Sequence, residues 1–222
     1  MKIFTSYSQS HKILFDNYFL PSFNKYLKND FDLVVKILKQ KTKNGSFKEL
    51  GWQKTLGDKL LGIIELLESE KKPIIVADCD IQFFNNFKND LLNKVPELEM
   101  CFLNDTGFQP MCCGFYYSNY SRSTLKLLNE THRNLTNTLT NHKEGEQSLF
   151  HKTYKRFPVK VGLFGNKYFN VAQVTGPKVW DGEDFNVPRN IFLHHANWTV
   201  GIKNKVKLLD YVNNPHLNAN AF

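Results

Sequence analysis

Apolar positions change period several times along the chain, and each change predicts an element. Residues 2–6 read as a short strand and residues 11–23 as an amphipathic helix. Residues 31–38, rich in Leu, Val and Ile, predict a second strand, and the polar residues 39–47 a loop. Trp52, Leu56, Leu60, Ile63, Ile64 and Leu67 recur close to helical period, which predicts a helix over residues 52–68. Residues 73–77 follow a charged turn as an unbroken apolar run, the pattern of a strand buried on both faces. A helix over 86–93, strands over 99–103 and 114–117, and helices over 121–141 and 145–154 come next. The last third is broken by Gly and Pro before a short strand at 190–194. Strands alternating with helices predict an α/β fold, with a mostly parallel central sheet covered by helices on both faces. No linker or repeat interrupts it, so residues 1–222 are expected to form a single domain.

Composition narrows the function classes. The 222 residues carry 29 Lys+Arg against 21 Asp+Glu, a formal charge of +8. That balance fits nucleic acid, a membrane surface or a phosphorylated ligand. The lysines are scattered and lack interleaved aromatics, which argues against a nucleic-acid-binding module. No apolar run reaches the roughly 20 residues of a membrane span, and the start turns polar too early for a signal peptide. The expected setting is cytoplasmic. Cys79, Cys101, Cys112 and Cys113 form no C-x-x-C pair and read as buried free thiols of a reducing compartment.

The sharpest chemical feature is Asp78-Cys79-Asp80, directly after the apolar run. In extended backbone residues i and i+2 share a side, so both carboxylates converge at the strand's carboxyl end, where open α/β sheets bind ligands. Two hard oxygen donors there suit Mn2+ or Mg2+ carrying substrate phosphates. A Mg-dependent phosphatase of the haloacid-dehalogenase type shares the pattern, but such enzymes have Thr or Val where this chain has Gln82, and no later Asp pair completes the site. The second feature is His194-His195-Ala196-Asn197-Trp198, with Lys203 and Lys205 beyond it. Adjacent strand residues face opposite ways, so only one histidine joins a given site. The alternation Ile191, Leu193, His195 favours His195, leaving His194 to the core or a loop. Lys59 shares a helix face with Trp52 and can reach a phosphate. Asp105 follows a strand end, where a carboxylate either accepts from sugar hydroxyls or caps a turn. Glu146 and Gln147 open a helix, where a carboxylate suits the dipole.

These segments occur in order: Thr5-Ser6-Tyr7 with Ser10-His11, Gly51-Trp52 through Lys59, Asp78-Cys79-Asp80, Cys112-Cys113-Gly114-Phe115, Glu146-Gln147, and His194 to Gly201. The set resembles the nucleotide-diphospho-sugar transferases, GT-A-type glycosyltransferases, over almost the whole chain. The resemblance implies a single GT-A domain that transfers a sugar from a UDP- or GDP-sugar to a glycan or other hydroxyl acceptor. It implies a metal site of Asp78, Asp80 and His195, the last resembling the C-terminal histidine of glycogenin-like enzymes. Thr5 and Tyr7 would border the nucleoside, and Lys59, Asp78, Lys203 and Lys205 would meet the nucleotide sugar. Asp105, Glu146 and Gln147 would form the catalytic group, and residues 164–184 would shape the acceptor cleft. The chain departs from many relatives in having Glu146 where they have Asp, and Cys112-Cys113 in place of a more polar pair.

Overall fold

The structure is a computed structural model, and it describes residues 1–137 and 144–214. Strand β1 (Lys2–Tyr7) runs into an unbroken helical stretch: a 3-10 turn (Gln9–His11), α1 (Lys12–Leu14), a π turn (Phe15–Phe19) and α2 (Leu20–Tyr26). Then come β2 (Asp32–Ile37), α3 (Trp52–Glu70), β3 (Ile74–Ala77), β4 (Ile81–Phe83) and α4 (Lys88–Lys94). The central pair β5 (Met100–Asn104) and β6 (Met111–Ser118) precedes α5 (Arg122–Asn137) and α6 (Glu146–Thr153). The chain continues with β7 (Val161–Leu163), β8 (Tyr168–Asn170), α7 (Ala172–Thr175), β9 (Leu193–His195) and α8 (Ile202–Val212). The last residues of the helix predicted over 121–141 lie outside the described residues.

Six strands form the main sheet in the order β2-β1-β3-β6-β5-β7, and β6 runs antiparallel to both its neighbours while the other pairings are parallel. Strand period 2 explains why the sheet is covered twice. Ile74, Val76, Met100 and Phe102 face a cluster with Leu60, Ile63 and Leu67 of α3 and Leu127 and Leu128 of α5. Their neighbours Ile75, Ala77, Cys101 and Leu103 face Phe15, Phe19, Phe23, Phe87 and Leu91 on the other side. Each buried Val, Leu, Ile, Phe or Met side chain among them contributes about 1.5–3 kcal/mol. All eight residues of β6 and all four of β3 are buried, as their unbroken apolar runs require.

One irregularity positions the site. Phe102 pairs with Tyr116 of β6, but the next residue, Leu103, pairs with Cys112. Cys113, Gly114 and Phe115 therefore bulge away from β5 where β6 passes the end of β3. A second sheet, β4-β9-β8, lies beyond β3 and holds His195 opposite Ile81. Helix α8 closes that end through Leu208, Leu209 and Val212, packed with Leu14, Phe169 and Trp180. The four cysteines are free and buried, as expected.

Candidate active site

At the carboxyl ends of β1 and β3, a cavity of about 590 Å3 opens, large enough for a small-molecule substrate. Its walls come from Tyr7 and His11, Trp52 and Lys59 of α3, the Asp78–Asp80 segment, Cys112 to Gly114, Glu146 and Gln147, and residues 197–202.

Asp78 leaves β3 with its N–H still donating to the Gly114 carbonyl, 2.7 Å away. The chain then turns, with Ile81 N–H donating to the Asp78 carbonyl at 3.2 Å. The two carboxylates thus converge through a turn rather than by the extended alternation expected from sequence, because β3 ends at Ala77 and β4 must start at Ile81. Both reach His195, whose Nε2 lies 3.2 Å from Asp80 Oδ1 and 3.9 Å from Asp78 Oδ2. Ligand atoms of Asp78, Asp80 and His195 all lie within 4.8 Å of one another. Burial opposes charge on Asp80, but Lys205 and His195 outweigh it and hold its carboxyl well below the usual range. Lys205 Nζ stands 2.5 Å from Asp80 Oδ2 and donates to the Ala196 carbonyl. The other ring nitrogen of His195, Nδ1, sits 3.5 Å from Cys112 Sγ. Burial pushes the Cys112 thiol up, so it stays protonated.

The floor of the site requires glycine at position 114. A Cβ there would stand 2.1 Å from His195 Cε1 and 2.9 Å from Asp78 Oδ2, well inside contact distance. Two carboxylates and an imidazole converging over this bare backbone fit a hard to borderline divalent cation such as Mn2+ or Mg2+.

Lys59, expected to meet a phosphate, lines the cavity and is held there from three sides. Its buried ammonium lies 2.8 Å from Asp78 Oδ1 and 3.2 Å from Glu146 Oε2, and donates to the Cys113 carbonyl at 3.0 Å. Burial works against this charge, and the Asp78 and Glu146 carboxylates overcome it, so Lys59 titrates well above its ordinary range. A free lysine here would be costly to bury, so the two carboxylates capture it.

Asp105 is the second polar centre. Its carboxylate accepts from Gln147 Nε2 at 2.9 Å, from Trp198 Nε1 at 2.7 Å, and from the Asn197 amide. Burial pushes its carboxyl up, and these donors oppose that. Gln147 uses its amide group twice, donating also to the Gln109 carbonyl at 2.8 Å.

The remaining expected residues divide. Tyr7 lines the cavity and stacks on Phe15. Thr5 is wholly buried and does not line it, because it lies two residues below the strand end, inside the sheet. Lys203 is exposed and off the cavity, since two residues of helix turn it about 200° from Lys205. Of residues 164–184, only Val179 reaches the cavity wall among the described residues. His194 is fully buried beside Phe169, away from the cavity. The partners of Asp105 on Asn197 and Trp198, and His11 on the cavity wall, carried no assigned role in the sequence reading. Asn197 and Trp198 were visible only as parts of the motif after His195.

The family defined by this fold and site is the nucleotide-diphospho-sugar transferases: their sequence model matches residues 18–209, and the chain belongs to that family of glycosyltransferases. Among solved structures, a glycosyltransferase described as involved in the glycosylation of the major capsid of PBCV-1 shares the fold. It has a TM-score of 0.64 and 7% identity, over 94% of this chain and 98% of that one. No curated protein matches the sequence. No helix among the described residues is long and apolar enough to cross a membrane.

Proposed function

We propose that the protein is a metal-dependent glycosyltransferase taking its sugar from a nucleoside-diphosphate donor, with a hydroxyl group of a glycan or similar molecule as acceptor. The observation that carries this reading is the convergence of Asp78, Asp80 and His195 at the mouth of the sheet, within one cavity. Those three residues would hold Mn2+ or Mg2+. When bound, such an ion supplies positive charge to the diphosphate as it leaves.

The chain's own residues support the rest. Lys205 brings an ammonium to the same place as Asp80 and adds positive charge beside the diphosphate. Lys59 positions Asp78 from beneath, with Glu146 balancing its charge. The donors around Asp105 fix that carboxylate against the cavity, ready to accept from a sugar hydroxyl. Both amide hydrogens of Gln147 are committed to Asp105 and Gln109, so its carbonyl oxygen is the part that meets substrate. Tyr7 and His11 border the nucleoside side of the cavity.

A screen of UDP- and GDP-sugars for hydrolysis, with and without Mn2+, tests the reading, since water replaces a missing acceptor. The expected result is release of nucleoside diphosphate from at least one donor only when metal is present. Equal rates with and without metal for every donor would contradict it.

A further inference from the structure

Cys112 is placed by the same register jump that shapes the floor of the site. It pairs with Leu103 where β6 departs from regular register, and its side chain is buried against the imidazole of His195. The two ring nitrogens of that histidine have different surroundings. Nε2 faces Asp80 and Asp78, while Nδ1, on the other edge of the ring, lies 3.5 Å from Cys112 Sγ. Donors meet the sulfur from two further directions, Gly114 N–H at 3.4 Å and the Asn197 amide at 3.7 Å. That amide group also donates to Asp105 Oδ1. A hydrogen-bonded chain therefore runs from His195 through Cys112 and Asn197 to Asp105, joining the two polar centres of the cavity.

We infer that Cys112 is a positioning residue for His195: its sulfur accepts from Nδ1–H, which leaves the Nε2 lone pair directed at Asp78 and Asp80. This rests on the metal-dependent reading above. A neutral imidazole carries one ring hydrogen, and the nitrogen without it is the one that can ligate a cation. Metal-ligating histidines ordinarily donate their other N–H to a carboxylate, a backbone carbonyl or water. Here a sulfur takes that place. Its other neighbours set the direction of the bond, since Gly114 N–H and the Asn197 amide hydrogen can only donate to it. A thiol is a weak acceptor, but it also packs as a small apolar group. Cys112 thus belongs at once to the apolar cluster with Leu103 and Phe115 and to the polar site.

Calorimetry with Mn2+ alone, on the full chain and on its Cys112→Val, Cys112→Ser and Cys101→Ala variants, tests this. Valine fills the thiol's volume and suits a strand but cannot accept a hydrogen bond, whereas serine keeps an acceptor. The expected result is Mn2+ affinity about tenfold weaker in Cys112→Val and close to that of the unaltered protein in Cys112→Ser. Cys101→Ala removes a fully buried thiol away from the cavity, so it should lower the unfolding midpoint and leave Mn2+ affinity as it was. Mn2+ binding by Cys112→Val as tight as by the unaltered protein overturns the inference. So does Cys112→Ser binding no better than Cys112→Val, which reduces the thiol to a packing group. Should Cys112→Val fail to fold, Cys112→Ala takes its place and the same comparison with Cys112→Ser decides. Absence of Mn2+ binding by the unaltered protein strikes the metal reading and the inference with it, whereas tight binding that ignores Cys112 strikes the inference alone.

Discussion

His194 and His195 are adjacent and both buried, yet their surroundings differ completely. His195 faces two carboxylates and a thiol, whereas His194 lies against Phe169. Burial and the neighbouring His195 charge push the His194 imidazole down to about 3, so it stays neutral through the physiological range. The two substitutions should therefore separate. His195→Ala should weaken Mn2+ affinity by at least the 10–100-fold typical of groups that merely support a ligand. His194→Ala should lower the unfolding midpoint and leave Mn2+ affinity within a few-fold. Titrating Mn2+ against both proteins decides it, and a larger loss of affinity in His194→Ala would reverse the assignment. This distinction was legible in the sequence because strand alternation is a local rule. The partners of Asp105 were not, since Gln147, Asn197 and Trp198 lie 42, 92 and 93 residues away and only the fold brings them in. The pairing of Lys59 was hidden for the same reason: its helix face was right, but the carboxylate of Glu146 beside it is set by packing.

At the scale of elements, the register jump in β6 is the feature on which the site depends. Cys113, Gly114 and Phe115 leave β5, and the backbone at Gly114 comes close enough to His195 and Asp78 to exclude any side chain. Gly114 lies in strand conformation, so alanine fits the backbone and collides only with the site. Gly114→Ala should keep its far-UV circular dichroism while metal-dependent donor hydrolysis drops at least tenfold, by displacement of His195 or Asp78. Activity equal to the unaltered protein would show that the close approach has no functional weight. The sustained patterns were readable: α3 follows from its periodicity and β3 from an unbroken apolar run, while only residues 114–117 of β6 were read as strand. Strands β4, β7 and β8 were missed, because three residues give no period to detect and their pairing partners are distant. The helix predicted over 11–23 is in fact a 3-10, α, π and α succession over Gln9–Tyr26.

For the whole molecule, several of the lysines behind the charge of +8 are paired among the described residues. Lys2, Lys36, Lys41 and Lys88 each pair with a carboxylate, while Lys59 and Lys205 converge with Asp78 and Asp80 at the cavity. The fold class was legible from strand–helix alternation, and the resemblance of the ordered motifs led to the same family as the sequence model. What alternation could not reveal was that β6 runs antiparallel, because strand direction depends on which neighbours a strand meets. The central claim is that a nucleoside diphosphate binds at Asp78, Asp80 and His195 through a divalent cation. Isothermal titration calorimetry with UDP and GDP, with and without Mn2+, on the unaltered protein and on Asp80→Asn measures this most directly. The account predicts that Mn2+ tightens binding of at least one nucleotide tenfold or more and that Asp80→Asn abolishes this gain, because a neutral amide is a poor ligand for a hard cation. Binding that is indifferent to Mn2+ for both nucleotides, or a gain that persists in Asp80→Asn, would contradict it.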